Sequence, residues 1–480
     1  MNNNKAIKAA TWYTISNFIS KGIFYLCTPI YTRLLTTYEY GQYSNFLSWQ
    51  TILVSLLTFD LYSAINTAFL DYSDENKFEG FISTISVFSL VIPFMLGMII
   101  LVFKNIFMNV FNVSFLHLII MLSYVCFGNT LTICQTEQIV NQKYIFSSIL
   151  TIFSTCGSVI ITLILTFCMK DKLTGILLGS VVVTETTSLF LLFFVLRRKL
   201  ILKKQYLQYA FAISIPLLPH VLATTILGSS DKVMITKLCG NMETAMYSLV
   251  YTISMVVTMF TASINKAWVP WFFDKLKHYD YAAIKNAVKL ILPVGAITSF
   301  GVCLFAPEIV AILGGEKYES AVILMPPLIL HSVCNYYCTL YINIEFYNKK
   351  TFGISIATTI SLAINILMNF YFIRLFGYQA AAYTTFFSSV VNLIFHLYKI
   401  RKQKMLKVFN NRFNILLLII TVFAVMLLVP VYKNNVLRLA VIFGYVIMIS
   451  LILIKYRNYI RKILKVYLPN KSGIKNENLG

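Results

Sequence analysis

Apolar residues run through this chain in long blocks, broken by short polar turns, with almost no period-two alternation of the kind a half-buried strand shows. A helix needs about 20 apolar residues to cross the hydrocarbon core of a bilayer. Fourteen stretches meet that length. The first six lie near 9–32, 43–66, 80–103, 115–137, 145–169 and 174–196. The next six lie near 207–236, 243–269, 287–313, 321–346, 351–373 and 377–399, and a last pair near 413–432 and 436–455. The pattern predicts an all-α polytopic membrane protein of about 14 spans.

The turns between the blocks set the orientation, because Lys and Arg concentrate on the cytoplasmic side. The turns on the side of the N-terminus hold 27 Lys and Arg, against ten in the others. Both termini are therefore expected in the cytoplasm. Residues 71–79 run against this bias, with Asp71, Asp74, Glu75 and Glu79 around Lys77. The opening MNNNKAIKAATWY carries no convincing cleavage site, so the first apolar run is expected to be kept as a helix.

Two stretches match across a shift of 204 positions. Thr32-Arg33-Leu34 recurs as Thr236-Lys237-Leu238, and Glu39, Gly41, Tyr43 and Ser44 recur as Glu243, Ala245, Tyr247 and Ser248. A fainter echo pairs Asn141-Gln142-Lys143 with Asn348-Lys349-Lys350. Both strong matches join the first and second helices of a six-helix block. Six is even, so the blocks point the same way. The expected organisation is an N-lobe (1–204), a C-lobe (205–400), and two extra helices with a basic cytoplasmic tail (401–480). Parallel repeats around a midplane site are a common transporter design.

Composition narrows the class further. The 480 residues are 58% hydrophobic and 12% charged, whereas soluble domains carry about a quarter charged residues. The net charge of +22 is scattered through short turns rather than gathered on a folded domain, which argues against nucleic acid as a partner. None of the nine cysteines forms a CxxC pair. Cys334 and Cys338 share a helix face with no His or carboxylate to complete a metal site. Gly314-Gly315-Glu316-Lys317 lacks the upstream glycine and the hydroxyl of a phosphate-binding loop. Energy would then come from a proton or sodium gradient, from a partner, or from consumption of product, and no resident cofactor is expected. No catalytic motif is found. A membrane glycosyltransferase or polymerase would want a sizeable extramembrane loop with acidic residues, and the longest turns, 270–286 and 400–412, are short and mostly basic.

At this point the chain resembles the oligosaccharide (O-antigen and capsule repeat-unit) flippases of the multidrug/oligosaccharidyl-lipid/polysaccharide exporter superfamily. The resemblance rests on Ile215-Pro216-Leu217-Leu218-Pro219, Ser230-Asp231-Lys232, Gly240, Tyr247-Ser248 and Lys266-Ala267-Trp268-Val269-Pro270. Glu308-Ile309-Val310 through Leu313-Gly314-Gly315-Glu316-Lys317-Tyr318 adds to it, as do Arg33-Leu34-Leu35 and Tyr40-Gly41. Lys232 departs from the more usual Arg of that pattern. The resemblance implies two parallel six-helix bundles, MATE-like, in a bacterial cytoplasmic (inner) membrane. It implies translocation of an undecaprenyl-diphosphate-linked oligosaccharide to the outer leaflet for surface polysaccharide assembly. Membrane lipids, a polysaccharide polymerase and glycosyltransferases are the partners that follow. A cation-coupled small-molecule exporter on the same fold is the alternative, and it would want carboxylates in the cavity and few lysines.

Such a flippase needs cations for the diphosphate and polar side chains for sugar. In the first helix Thr14, Asn17, Lys21, Tyr25, Thr28 and Thr32 form one polar stripe. A lysine at mid-span costs about 2.5–3.5 kcal/mol on insertion scales and should face protein or water. Lys21 is thus expected to meet substrate, or else to pair with Asp60 or Glu185. Asp60 and Glu185 are open to ion coupling or structural pairing. Asp231 and Lys232 are expected near the outer end of the seventh helix, where an interfacial pair, a substrate contact for Lys232 and an ion-coupling role for Asp231 all remain open. His220 is a core histidine or a proton relay, and Pro216 and Pro219 suit a gating bend. In the eighth helix Tyr251, Ser254, Thr258, Thr261, Asn265 and Trp268 form a stripe expected to line the cavity, with Trp268 stacking on sugar, although such residues also pack helices together. Lys266 and Lys289 lie where they snorkel or attract a diphosphate. His331, Asn335, Asn365 and Asn369 are lesser candidates.

Overall fold

The computed structural model describes residues 3–72, 74–198 and 200–455, without the side chains of 3–11, 13–15, 17, 18, 24 and 453. The described residues are mostly helical, with no strand. The first block comprises α1 (Asn3–Leu34), α2 (Thr37–Leu57), α3 (Ile65–Asp71), α4 (Glu75–Val102), α5 (Lys104–Phe111), α6 (Phe115–Phe127), α7 (Asn129–Val140), α8 (Tyr144–Cys168) and α9 (Lys172–Arg198). The second comprises α10 (Lys204–Leu238), α11 (Asn241–Lys277), α12 (Tyr281–Leu304), α13 (Ala306–Gly314), α14 (Met325–Tyr347), α15 (Phe352–Phe376) and α16 (Gln379–Lys402). The chain continues through α17 (Asn411–Met426), α18 (Leu428–Val431) and α19 (Asn435–Lys455).

Twelve of these segments are long and apolar enough to cross a membrane, thirteen if the bent α2–α3 pair is one span. The polar, lysine-bearing α1 is not among the twelve, although its 32 residues suffice in length. Several predicted spans are split: the fourth passes from α6 to α7 at Gly128, and the thirteenth from α17 to α18 at Leu427. The second is interrupted at Phe59 and Asp60, both left-handed (φ 50° and 52°), and bends by 52°. The ninth ends at Leu304, and α13 follows as a separate short helix. In the first block α5 holds the matching place after α4, so the two blocks share even this detail.

The acidic residues of 71–79 have a local explanation. Asp74 caps α4 by accepting from the Asn76 amide at 3.0 Å, Glu75 sits in the same first turn, where a helix dipole favours negative charge, and Asp71 accepts from the Tyr209 hydroxyl at 2.5 Å.

Small residues let the helices of the first block approach closely. A Cβ at Gly179 on α9 would fall 2.3 Å from the Thr162 Cα on α8. Gly175, one turn away, meets the same helix, a GxxxG contact of the kind that joins membrane helices. Gly179→Leu must separate α8 from α9. We expect a loss of about 2–4 kcal/mol, the range of severe packing errors, read as a lowered unfolding midpoint in detergent. An unchanged midpoint would mean that this contact is not tight.

Helices α17 and α19 lean on α12, and α17 also on α14. The Tyr432 hydroxyl donates to the Cys303 carbonyl at 2.7 Å, Tyr445 donates to Ile297 at 3.0 Å, and Arg438 pairs with Glu308 at 2.8 Å.

Candidate translocation site

The two blocks meet chiefly through α2 against α10 and α11, and through α1 against α13. At one end of the bundle the meeting is close. A Cβ on Gly41 would run into the Asn241 carbonyl at 1.8 Å. Tyr40 packs edge-on against Tyr318, and the Lys317 ammonium donates to the Leu35 carbonyl at 2.7 Å.

The repeated Thr-Arg/Lys-Leu stretch explains much of this seam. Arg33 donates to the Ile312 carbonyl at 3.2 Å, in the last turn of α13. Its counterpart Lys237 donates to the Asn109 carbonyl, in the last turn of α5. Thr32 adds a bond to the Leu313 carbonyl at 2.5 Å. Carbonyls in a final helical turn lack intrahelical donors and carry the negative end of the dipole, so a cation suits both places. Each block thus reaches across to cap the short helix of the other. The sequence repeat is a reciprocal clasp.

Farther into the bundle, Ser55 on α2 and Thr225 on α10 share a hydrogen bond of 3.4 Å. Lys232, half-buried, holds its ammonium 4.9 Å from the centre of the Tyr251 ring. Lys21 is exposed on α1, and Lys266 is exposed on α11. Among the described residues none of these three lysines has a carboxylate within 4.0 Å. The expected alternative for Lys21, a pair with Asp60 or Glu185, is therefore not formed. Thr14 and Asn17 lie outside the residues with described side chains. Thr28 is buried in packing rather than open to a cavity.

Asp60 is corrected from mid-helix to the break after α2, buried and hydrogen-bonded with Tyr62. Glu185 is half-buried against Ser123. His220 is half-buried, and its Nδ1 has no hydrogen-bond partner among the described residues. Helix α10 continues through the exposed Pro216 and Pro219.

The polar stripe of α11 faces a neighbouring helix. Thr258 donates to Ser332 at 3.0 Å, Ser332 donates to the Ser254 carbonyl at 3.2 Å, and Asn343 donates to Asn265 at 2.8 Å. Trp268 is 6% exposed and stacks on Phe272 inside an apolar cluster. Trp268 is packed away from any cavity, and the Asn265 oxygen is taken by Asn343, so the stripe joins α11 to α14. A double-mutant cycle on Asn265→Ala and Asn343→Ala should give a coupling of about 1 kcal/mol, typical of interhelical bonds in membranes. A coupling near zero would make the contact incidental.

Asp231 forms no ion pair with Lys232 within 4.0 Å. Its carboxylate is 2% exposed and lies at the centre of a polar network inside the second block. Tyr247 and Thr385 donate to Oδ2 at 2.5 and 2.6 Å, and Asn369 donates to Oδ1 at 2.6 Å. Asn365 donates to Thr385 at 3.2 Å, and Thr384 donates to Asn369. His331 lies at the edge, 3.3 Å from the Thr385 carbonyl and 3.0 Å from the Asn335 amide. The spacing of Asn365 and Asn369 and the run of hydroxyls on α16 were legible in the sequence, but nothing in it aimed them at Asp231.

Comparison with known proteins defines the class. The fold matches "Lipid II flippase MurJ, inward closed conformation" at TM-score 0.64 and 15% identity, covering 91% of this chain and 100% of that one. It matches an inward-facing multidrug resistance MATE family transporter of the MOP superfamily at TM-score 0.61 and 11% identity, covering 83% and 99%. A MOP superfamily transporter from Pyrococcus furiosus, described as having a binding pocket of reverse polarity, matches at TM-score 0.56 and 13% identity, covering 83% and 96%. The chain thus shares its fold with a flippase and with transporters of the MOP superfamily. Residues 6–276 match the polysaccharide biosynthesis protein family, and the chain belongs to it. No curated protein matches the sequence.

Proposed function

We propose that this protein moves an undecaprenyl-diphosphate-linked oligosaccharide from the cytoplasmic to the outer leaflet of a bacterial cytoplasmic membrane, by alternating access. The carrying observation is the reciprocal clasp. Two alike lobes, 1–204 and 205–400, grip each other at one end through equivalent residues, as rocking about a shared axis requires. The clasp lies at the end where the turns carry few Lys and Arg, which the charge bias makes the outer end. Counting α1 and the bent α2–α3 pair, fourteen spans would leave both ends of the chain on one side, the side that the charge bias makes cytoplasmic. Lys21 and Lys232, with no carboxylate within 4.0 Å among the described residues, suit a diphosphate; Lys266 suits its entry. The buried Asp231 network suits coupling to protons or sodium. Glycosyltransferases supply the substrate, and a polymerase uses the product.

The test is transport in vesicles holding the purified protein, with a defined polyprenyl-diphosphate oligosaccharide in one leaflet. Its headgroup should appear in the other leaflet, faster under an imposed proton or sodium gradient. No movement under either gradient, with efflux of a cationic dye instead, would transfer the chain to the small-molecule exporters.

A further inference from the structure

We infer that the N-lobe contains a separate, uncharged recognition site for the pyranose rings of the substrate, away from the lysines that suit its diphosphate. A cavity of about 330 Å³ lies between α1, α2, α6, α8 and α9. That is at the small end of the ~300–1,000 Å³ of ligand pockets. No side chain lining it is a carboxylate, Lys, Arg or His. A polar hollow inside helices of this apolarity must be filled by water or by a polar ligand.

Its walls have a definite chemical sense. The hydroxyl protons are largely committed to the backbone: Ser154 and Thr155 donate to the Thr151 carbonyl at 3.1 and 2.8 Å. Ser158 donates to the Ser180 carbonyl at 3.2 Å, and Ser180 donates to Leu177 at 2.8 Å. What these oxygens still offer is lone pairs, so the wall accepts. Donors remain as well: Gln50 is 7% exposed, its Nε2 has no hydrogen-bond partner among the described residues, and the hydroxyls of Thr162, Tyr31, Tyr43 and Tyr124 can donate. Tyr31, Tyr43 and Tyr124 add aromatic surface. Acceptors, amide and hydroxyl donors and flat rings together match a ligand that presents hydroxyls, each a donor and an acceptor, around a ring with apolar faces. A neutral sugar has that character. A diphosphate would find no cation here, and the space is wide for a cage around a single monatomic ion.

The inference deepens the flippase reading and rests on it for the source of the sugar, but its first test does not. Cys27 lines the cavity and reports on it. Alkylation of Cys27 in the purified protein, read by mass spectrometry, should slow at least threefold with millimolar N-acetylglucosamine or galactose. Cys156 on the same helix bundle should be unaffected, and pyrophosphate and sodium chloride should give no protection. Protection by sodium, or by no sugar, would overturn the site. The second test compares binding of sugar-bearing and sugar-free polyprenyl diphosphate to the protein in nanodiscs. Gln50→Leu should weaken the first at least tenfold and leave the second at the wild-type level. Equal binding of both by Gln50→Leu and by the milder Ser158→Ala, in the wild-type ratio, would overturn the site and leave the flippase reading intact. Wild-type protein that binds neither lipid would count against the flippase reading instead.

Discussion

Lys21→Glu abolishes surface polysaccharide while the protein still reaches the membrane in normal amount. Charge-assisted hydrogen bonds contribute about 1.5–3 kcal/mol each, and every 1.4 kcal/mol is tenfold in binding. Losing such a contact to a diphosphate and placing a carboxylate there instead should cost at least 10- to 100-fold in transport. Folding is spared for a structural reason: Lys21 is exposed and, among the described residues, has no carboxylate within 4.0 Å, so the reversal breaks no ion pair. Lys21→Arg, which keeps the charge, should retain most transport. Lys21→Cys should react with a charged, membrane-impermeant thiol reagent. Normal polysaccharide in Lys21→Glu would retire this residue as a substrate contact, and a Lys21→Cys thiol that reacts only with apolar reagents would place it against acyl chains.

Most of the helices were legible in the sequence because hydrocarbon permits few other backbone solutions. What the apolar count missed was where helices stop. Phe59 and Asp60 are a left-handed break with neither Gly nor Pro to announce it, and Leu304 passes into α13 across a single residue. The repeat was legible as matched letters, but its meaning was not. Arg33 and Lys237 looked like ordinary external cations until α5 and α13 appeared, because their partners are backbone carbonyls, which carry no residue signature. The α11 stripe failed for a different reason. Periodicity shows that Ser254, Thr258 and Asn265 share a face, but a face toward water and a face toward α14 have the same period. Trp268 followed the stripe into the wrong environment. Glu345 and His396 on α14 and α16 were not singled out at all. They are both fully buried and 2.5 Å apart, a pairing 51 residues apart in sequence that only the tertiary fold brings together.

Asp231→Asn should separate coupling from architecture. The carboxylate accepts from Tyr247, Thr385 and Asn369, and among the described residues no Lys or Arg, Lys232 included, lies within 4.0 Å of it. A full charge so placed in a membrane protein is costly unless a proton or a bound cation offsets it. The network is rich in oxygens that could serve either. In Asp231→Asn the amide oxygen can replace Oδ2 for Tyr247 and Thr385, while its NH₂ group meets Asn369, whose own amide can turn to accept. The fold should survive at a cost of about 1–2 kcal/mol, as one hydrogen bond is reorganised. Asp231→Leu has no such remedy. Three donors are orphaned, each costing about 1–3 kcal/mol, and that protein should fail to accumulate. The informative variant is therefore Asn. Vesicle transport by wild type should rise under the coupling gradient, whereas Asp231→Asn should be flat to it and at least tenfold slower. If sodium is the ion, it should raise the wild-type melting temperature by mass action and leave Asp231→Asn unmoved. A variant that still responds to the gradient would make this carboxylate a fastener between α10, α15 and α16, with coupling to be sought at Glu185 in the other lobe.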